Sequence, residues 1–317
     1  MKDLIAMGRI NVDFYPNEMN VPFNEIVSFR KSIGGSPANI AVGAARLGLK
    51  TGFIGKVSGD QFGTFILDFF RKEKIDVSNI RRDTGGAMNC VAFTEVKSPQ
   101  NCSAVIYRDN VADLKIDPDD IDEAYIKDAK ILLISGTALS KSPSREAVYR
   151  AIEYANKNET AVFLDLDYRA NAWTAPSEAS LHYRNAAGNS NVIIGTKEEI
   201  DILNLVGEKK DDNQTAEEWL NKNAGIVIIK YGKDGSTAFL KNGEKIEGPV
   251  FRTTVKKTYG AGDAYASAFI FGYLQNWEIK KCLEYAAASA SIVISKDACA
   301  ESSPTENEIR DFIAKGK

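Results

Sequence analysis

A chain of 317 residues with 44% hydrophobic and 26% charged side chains has the composition of a soluble globular protein, and its length predicts one large domain with an excursion. The net charge of −3 supplies no basic field for nucleic acid or an anionic membrane, so an anionic ligand must be held locally. No run of 18 apolar residues is present and no signal-peptide core follows Met1-Lys2-Asp3, which predicts a cytoplasmic protein outside the membrane.

Leu4-Ile5-Ala6-Met7-Gly8 reads as a buried strand, followed closely by Asp13, an acid placed either to meet ligand hydroxyls or simply to serve a turn. Ser36-Pro37 predicts a helix start, with Ser36 at the N-cap and Pro37 first in the helix, ending near Gly48. Gly34 and Gly35 make the approach to that helix glycine-lined. Asn39, one turn in, either reaches a ligand over the glycines or is a surface helix residue. Thr51 to Val57 reads as a strand. Asp60 then caps a helix whose stripe Phe62, Phe65, Ile66, Phe69 and Phe70 reads as core.

From Thr84 to Asp113 the pattern changes to short strands, Cys90–Val96 and Ser103–Arg108, joined by a Ser-Pro-Gln-Asn turn. With Val12–Phe14 and Glu25–Arg30 they predict a small separate sheet, a lid. Then α/β alternation resumes. Strands are expected at Ile131–Ile134, Ala161–Leu166, Asn191–Ile194 and Gly225–Lys230. Helices are expected near Ser144–Asn156, Ser177–Ala187, Lys197–Leu205 and Thr215–Asn221. Near-continuous apolar strands alternating with helices predict a parallel sheet covered on both faces. A β-rich patch from Ser236 to Thr254, helices at Gly262 and Ile279–Ile294, and a last helix at Thr305–Ala314 complete the chain.

Lys257-Thr258-Tyr259-Gly260-Ala261-Gly262-Asp263-Ala264 holds the most chemistry. A Gly-Ala-Gly turn lets backbone approach a ligand, and a helix starting there offers free amides and a positive dipole end to an anion. Asp263 beside it suggests a base for phosphoryl transfer, or else an ordinary first-turn acid. The single histidine, His182, removes Ser-His-Asp and Cys-His catalysis and histidine-rich metal sites. Cys90, Cys102, Cys282 and Cys299 form no CxxC pair and read as reduced thiols. The P-loop pattern, the histidine of the protein-kinase catalytic loop, and a GxGxxG at the first helix are all missing.

Gly34-Gly35-Ser36-Pro37-Ala38-Asn39-Ile40-Ala41 and Thr258-Tyr259-Gly260-Ala261-Gly262-Asp263-Ala264 resemble the two signatures of the ribokinase-like (PfkB) carbohydrate kinases. The resemblance runs along essentially the whole chain. It implies a ribokinase-like three-layer α/β/α fold with a mainly parallel central sheet and a small β-sheet lid. The α/β core is expected at 1–11, 32–84 and 114–317, and the lid at 12–31 and 85–113. The family implies ATP and Mg2+, with Asp263 taking the proton of a sugar hydroxyl and the amides of Gly260, Ala261 and Gly262 stabilising the moving phosphoryl group. It places Asp13, Gly34, Gly35 and Asn39 on the sugar. It places Thr196 and Glu199 at the phosphates, with Glu199 organising magnesium waters, and Lys230, Gly232 and Gly235 at the nucleotide. Thr196 replaces the usual Asn of the family, and Lys257 stands where many relatives carry Asp, which counts against a monovalent-cation site. Tyr107, Arg108 and Arg169 match positions where sugar-acid kinases hold the carboxylate, for which arginine's planar fork is suited; the other reading is structural arginine. Met7–Pro16 and Leu133–Leu139 narrow the resemblance to one group of sugar-acid kinases. 2-Keto-3-deoxygluconate kinase, fructokinase and, from another class, a non-catalytic sugar sensor are the alternatives. A homodimer through the lid is expected to cover its open edges.

Overall fold

The computed structural model describes residues 1–98, 101–205 and 210–316. The central sheet has nine strands: β1 (Lys2–Met7), β4 (Thr51–Val57), β5 (Ile80–Arg82), β8 (Ala129–Ser135), β9 (Ala161–Asp165), β10 (Val192–Thr196), β11 (Ile226–Lys230), β12 (Ser236–Leu240) and β13 (Lys245–Gly248). Their spatial order is β13-β12-β11-β10-β9-β8-β1-β4-β5. The strands from β5 across to β11 are parallel; β12 and β13 are antiparallel. Such an edge on a parallel sheet is common in this class of architecture.

Alternation along β1 shows why both faces are covered. Leu4 and Ala6 join the core formed with α1 (Ser36–Arg46), α2 (Gln61–Lys72), α8 (Ala261–Leu274), α9 (Ile279–Ile294) and α10 (Glu306–Lys315). Ile5 and Met7 point the other way, to a second core under α3 (Glu123–Lys127), α4 (Ser144–Lys157), α5 (Pro176–Ala187), α6 (Lys197–Leu203) and α7 (Asp212–Leu220). The period-2 strand thus feeds two helical layers. From β1 the strand order runs one way to β4 and the other way to β8, a switch point that opens a crevice beyond the carboxyl ends. α1 and α8 meet so closely that a Cβ on Gly43 would lie 2.6 Å from Ser267 Oγ.

The second sheet has four strands in the order β3-β2-β6-β7: β2 (Asn11–Pro16), β3 (Phe29–Gly34), β6 (Cys90–Ser98) and β7 (Asn101–Tyr107). Phe14 and Phe93 stack across β2 and β6 with centroids 4.7 Å apart. β7 is an edge strand exposed along most of its length.

Several local expectations shift. Gly35, with φ of 99°, is the N-cap of α1, and Ser36 is already helical. Its hydroxyl is not free to cap, because it donates to Asp165 Oδ2 at 3.0 Å. The strand expected at Glu25–Arg30 runs instead over Phe29–Gly34, and Phe23–Glu25 forms a 3-10 turn. α7 starts earlier than expected, at Asp212, because Asp211 and Gln214 form a capping box. Pro99 and Gln100 of the expected turn lie outside the described residues.

Candidate active site

The site grows from the start of α8. Gly260 caps this helix in the left-handed conformation (φ 80°, ψ −1°), and a Cβ there would come within 2.9 Å of Cys299 Sγ. Backbone strain and space both demand glycine. The amide of Ala264 donates to Gly260 O at 3.0 Å and opens the helical ladder, so the amides before it in the turn are free for a ligand. Asp263 sits in this first turn and its Oδ2 accepts from Asn39 Nδ2 of α1 at 2.7 Å. Burial, and then the charge of Asp167, push the Asp263 carboxyl above its ordinary range. Hydrogen bonds from Asn39 and Ser36 pull the other way. The result is a carboxylate with raised basicity, held in one orientation at the mouth of a helix.

Across from it lies Asp13 on β2. Its carboxylate accepts from Asn11 Nδ2 and, at 3.2 Å, from the Tyr15 hydroxyl. It lies flat over Gly34, where a Cβ would collide with both of its oxygens. Gly35 is equally constrained, because a Cβ there would strike Arg9 O. Burial raises the Asp13 carboxyl to about 6 against the pull of Arg9, and Asp263 and Glu301 add repulsion. The Tyr15 hydroxyl also contacts Cys299 Sγ at 2.9 Å, and burial pushes that thiol up to about 11.

The end of β9 supplies residues that the sequence reading did not single out. Asp165 is buried, accepts from Ser36 and faces Lys230 Nζ at 3.7 Å. Burial pushes its carboxyl up and Lys230 opposes. Asp167 is buried too, but Arg169 at 2.7 Å, Arg9 at 3.7 Å and the hydroxyls of Ser135 and Thr137 overcome the burial and hold it below the ordinary carboxylate range. The signal was available: Asp165 and Asp167 follow four apolar residues at a strand's carboxyl end, the same logic that picks out Asp13. Arg9 had no such signal.

Two of the predicted sugar-acid contacts are already engaged. Arg108 pairs with the buried Asp113 at 2.7 Å, and Arg169 pairs with Asp167 while remaining half-exposed. Yet Arg9 Nε and Arg108 Nη1 are buried without an acceptor among the described residues. The charges of Arg9 and Arg108 both oppose the upward push that burial gives the Cys90 thiol. Tyr107 on β7 is 62% exposed and meets Phe93 edge-on.

A cavity of about 740 Å3 runs from Gly262 and Lys230 past Thr196, Gly232 and Gly235 to walls made by Val250 and Ile294. Gly232 and Gly235 both have positive φ (63° and 91°), which bends the turn after β11 over the cavity's lining. Lys230 Nζ lies 3.2 Å from where a Cβ of Gly262 would be, which sets an ammonium beside the free amides. Thr196 caps α6 in a box with Glu199: Glu199 Oε2 accepts the Thr196 amide at 2.7 Å, and Oε1 accepts the Tyr168 amide at 3.1 Å. No cluster of three or more metal-ligating side chains occurs among the described residues.

An acid of raised basicity at a helix mouth, with buried polar groups on one side and a long cavity on the other, has the layout that phosphoryl transfer asks for. The chain belongs to the pfkB family of carbohydrate kinases, whose model matches residues 1–306. It is 52% identical over 312 residues to the 5-dehydro-2-deoxygluconokinase of Geobacillus kaustophilus, covering 98% of this chain and 93% of that protein. It is 53% identical over 313 residues to the Bacillus anthracis protein of the same name, covering 98% and 94%. Its fold matches an E. coli structure assigned as a ribokinase II in complex with ATP and Mg2+, with a TM-score of 0.90, 20% identity, and 99% and 100% of the two chains covered.

Proposed function

We propose that this kinase transfers the γ-phosphoryl group of ATP to a hydroxyl of 5-dehydro-2-deoxy-D-gluconate, giving the 6-phosphate, a step of myo-inositol catabolism. The observation that carries the reading is the Asn39–Asp263 hydrogen bond, because it fixes a carboxylate of raised basicity between the sugar-side pocket of Asp13 and the free amides of α8. Asp263 takes the proton as the sugar oxygen bonds to phosphorus; the bond from phosphorus to the bridging oxygen breaks and ADP leaves. The amides of Gly260, Ala261 and Gly262 face the charge that spreads over the phosphoryl oxygens, with Lys230 beside them. The long cavity takes the nucleotide, Gly232 and Gly235 lining its entrance and the apolar walls near Val250 receiving the base.

Magnesium fits this site through water. Both Glu199 oxygens are engaged by backbone amides, but Asp165, Glu199, Asp263 and Asp167 all act on Lys230, and Asp165 Oδ1 has no hydrogen-bond donor. Mg2+ keeps several waters and binds chiefly to substrate phosphates, where it neutralises charge, and the free Asp165 oxygen and the Glu199 carboxylate would meet it through those waters.

The sugar-acid assignment draws support from the unpaired donors of Arg9, which shares Asp167 with Arg169, and of Arg108. Buried guanidinium N–H groups without acceptors are costly, and a substrate carboxylate would satisfy them. The four-stranded sheet, including the expected 12–31 and 85–113 segments, would act as the lid that excludes water, and a second copy would cover its edge strand β7. The test is ADP formation over a panel of sugars and sugar acids. Preference for 2-keto-3-deoxygluconate or fructose would move the substrate and leave the chemistry. Absence of turnover with every member, despite sugar binding, would favour the sensor.

A further inference from the structure

Lys257 is 1% exposed, yet it lies within ion-pair distance of no carboxylate among the described residues. A charge removed from water must find partners. Lys257 finds dipoles: its Nζ donates to the backbone carbonyls of Tyr259 at 2.7 Å and Val293 at 3.3 Å, and it approaches Cys299 Sγ at 3.8 Å. Cys299 is no counter-ion, since burial keeps its thiol protonated with a pKa of about 11.

Both carbonyls matter for position. Val293 belongs to the last turn of α9, whose terminal carbonyls form the negative end of the helix. The backbone on either side is pinned to the same end, because the amides of Lys256 and Lys257 donate to Ile294 O at 2.9 and 3.3 Å. Tyr259 is the residue before the Gly260 cap. The peptide joining them is planar, so drawing the Tyr259 carbonyl toward Lys257 turns the Gly260 N–H to the opposite side. The ammonium therefore ties the negative end of α9 to the start of the anion-binding turn and sets the direction of its first amide.

We propose that Lys257 is a built-in monovalent cation, a positioning residue for the Gly260-Ala261-Gly262 turn, and that phosphoryl transfer by this chain consequently needs no free potassium or ammonium ion. This rests on the kinase reading above. Removing the side chain leaves carbonyl oxygens around a cavity at a helix carboxyl end, a setting that suits K+ or NH4+, since carbonyl oxygens readily replace the hydration shell of such ions.

The experiment is a salt series at fixed ionic strength and Mg2+, comparing tetramethylammonium, lithium, sodium, potassium and ammonium chlorides. The wild type should keep the same kcat within about twofold throughout. Lys257→Ala in tetramethylammonium should lose roughly 10²–10³-fold in kcat, the scale of a misplaced oxyanion-binding donor. It should regain at least tenfold of this with potassium or ammonium, a readout that general loosening of the fold would not produce. Lys257→Met fills the cavity without charge and should stay slow in every salt. The proposal is overturned by a wild type that potassium activates tenfold, a result that needs no variant to fold. It is also overturned by a folded Lys257→Ala that keeps the wild-type rate or gains nothing from any ion. A wild type that forms no ADP in any salt with any sugar acid would instead remove the kinase reading, and this inference with it.

Discussion

Asp13→Asn tests whether the sugar-side pocket is assembled at the expense of stability. The Asp13 carboxyl rises from its ordinary 3.8 to about 6 in the folded chain, chiefly through burial. The folded state therefore binds this proton more tightly than the unfolded state, and wild-type stability falls as pH rises from about 4 through about 6. Above that window the full penalty, about 3 kcal/mol, is present. Asparagine keeps the shape and can still meet Asn11 and Tyr15, but it carries no charge to desolvate or to oppose Asp263. Urea unfolding should show the variant more stable by up to about 3 kcal/mol at pH 8 and equal to the wild type near pH 4. The higher melting temperature at pH 8 should amount to about 4 °C for a chain of this size. Phosphorylation should move the other way if Asp13 holds the sugar as proposed, because a charged hydrogen bond is then lost and kcat/KM should drop by roughly 1.5–3 kcal/mol, or ten- to a hundredfold. A stability difference between the two proteins that does not change from pH 4 to pH 8 would refute the reasoning.

Asp263→Asn should lower kcat by roughly 10²–10⁴ with little change in the KM for the sugar, while nucleotide binding measured by calorimetry survives on the α8 amides; a folded variant with wild-type turnover would exclude Asp263 as the base. In the wild type, kcat should fall on the acid side with an apparent pKa above the ordinary carboxylate range, since burial raises Asp263 and only the ionised form accepts a proton. Arg108→Leu leaves Asp113, 2% exposed, without its partner and should cost about 3–5 kcal/mol in denaturant unfolding; an unchanged midpoint would show that the pair is dispensable. Arg169→Leu changes a half-exposed side chain and should weaken the sugar acid by roughly 1.5–3 kcal/mol in kcat/KM while sparing fructose, so equal losses on both would assign Arg169 to the fold.

What the sequence reveals follows the range of each interaction. The glycines at 34, 35, 260 and 262 mark the site because backbone constraints are local and leave a local sign. The alternating layers follow from apolar periodicity, which needs no knowledge of partners. Ser36 defeats the same local logic: it has the chemistry of an N-cap, but Asp165, 129 positions later, claims its hydroxyl. Arg108 likewise reads as a ligand residue until Asp113, five residues on, is seen paired with it. The Asp165–Lys230 pair and the convergence of Arg9 on Asp167 arise from strands that are neighbours only after the sheet forms. Lys257 could be noticed as a departure from the family pattern, but its partners are carbonyl oxygens, which every residue carries and no sequence distinguishes.

The seating of α1 against α8 also bears on how the protein is made. Ser36 through Ala44 are all buried in the finished fold, and the glycine at 43 leaves room for nothing but Ser267. On the ribosome, α1 and all four strands of the smaller sheet emerge before residue 113, whereas α8 ends at Leu274. At 5–20 residues per second the intervening stretch takes about 8–30 s to synthesise, and throughout it the face of α1 that packs on α8 has no cover, since β1 and β4 take only the rest of the helix. The nascent chain thus offers chaperones, or a neighbouring nascent chain, the very helix that will later hold Asn39. Slowing translation between these points should lower the yield of soluble protein more than slowing it after Leu274.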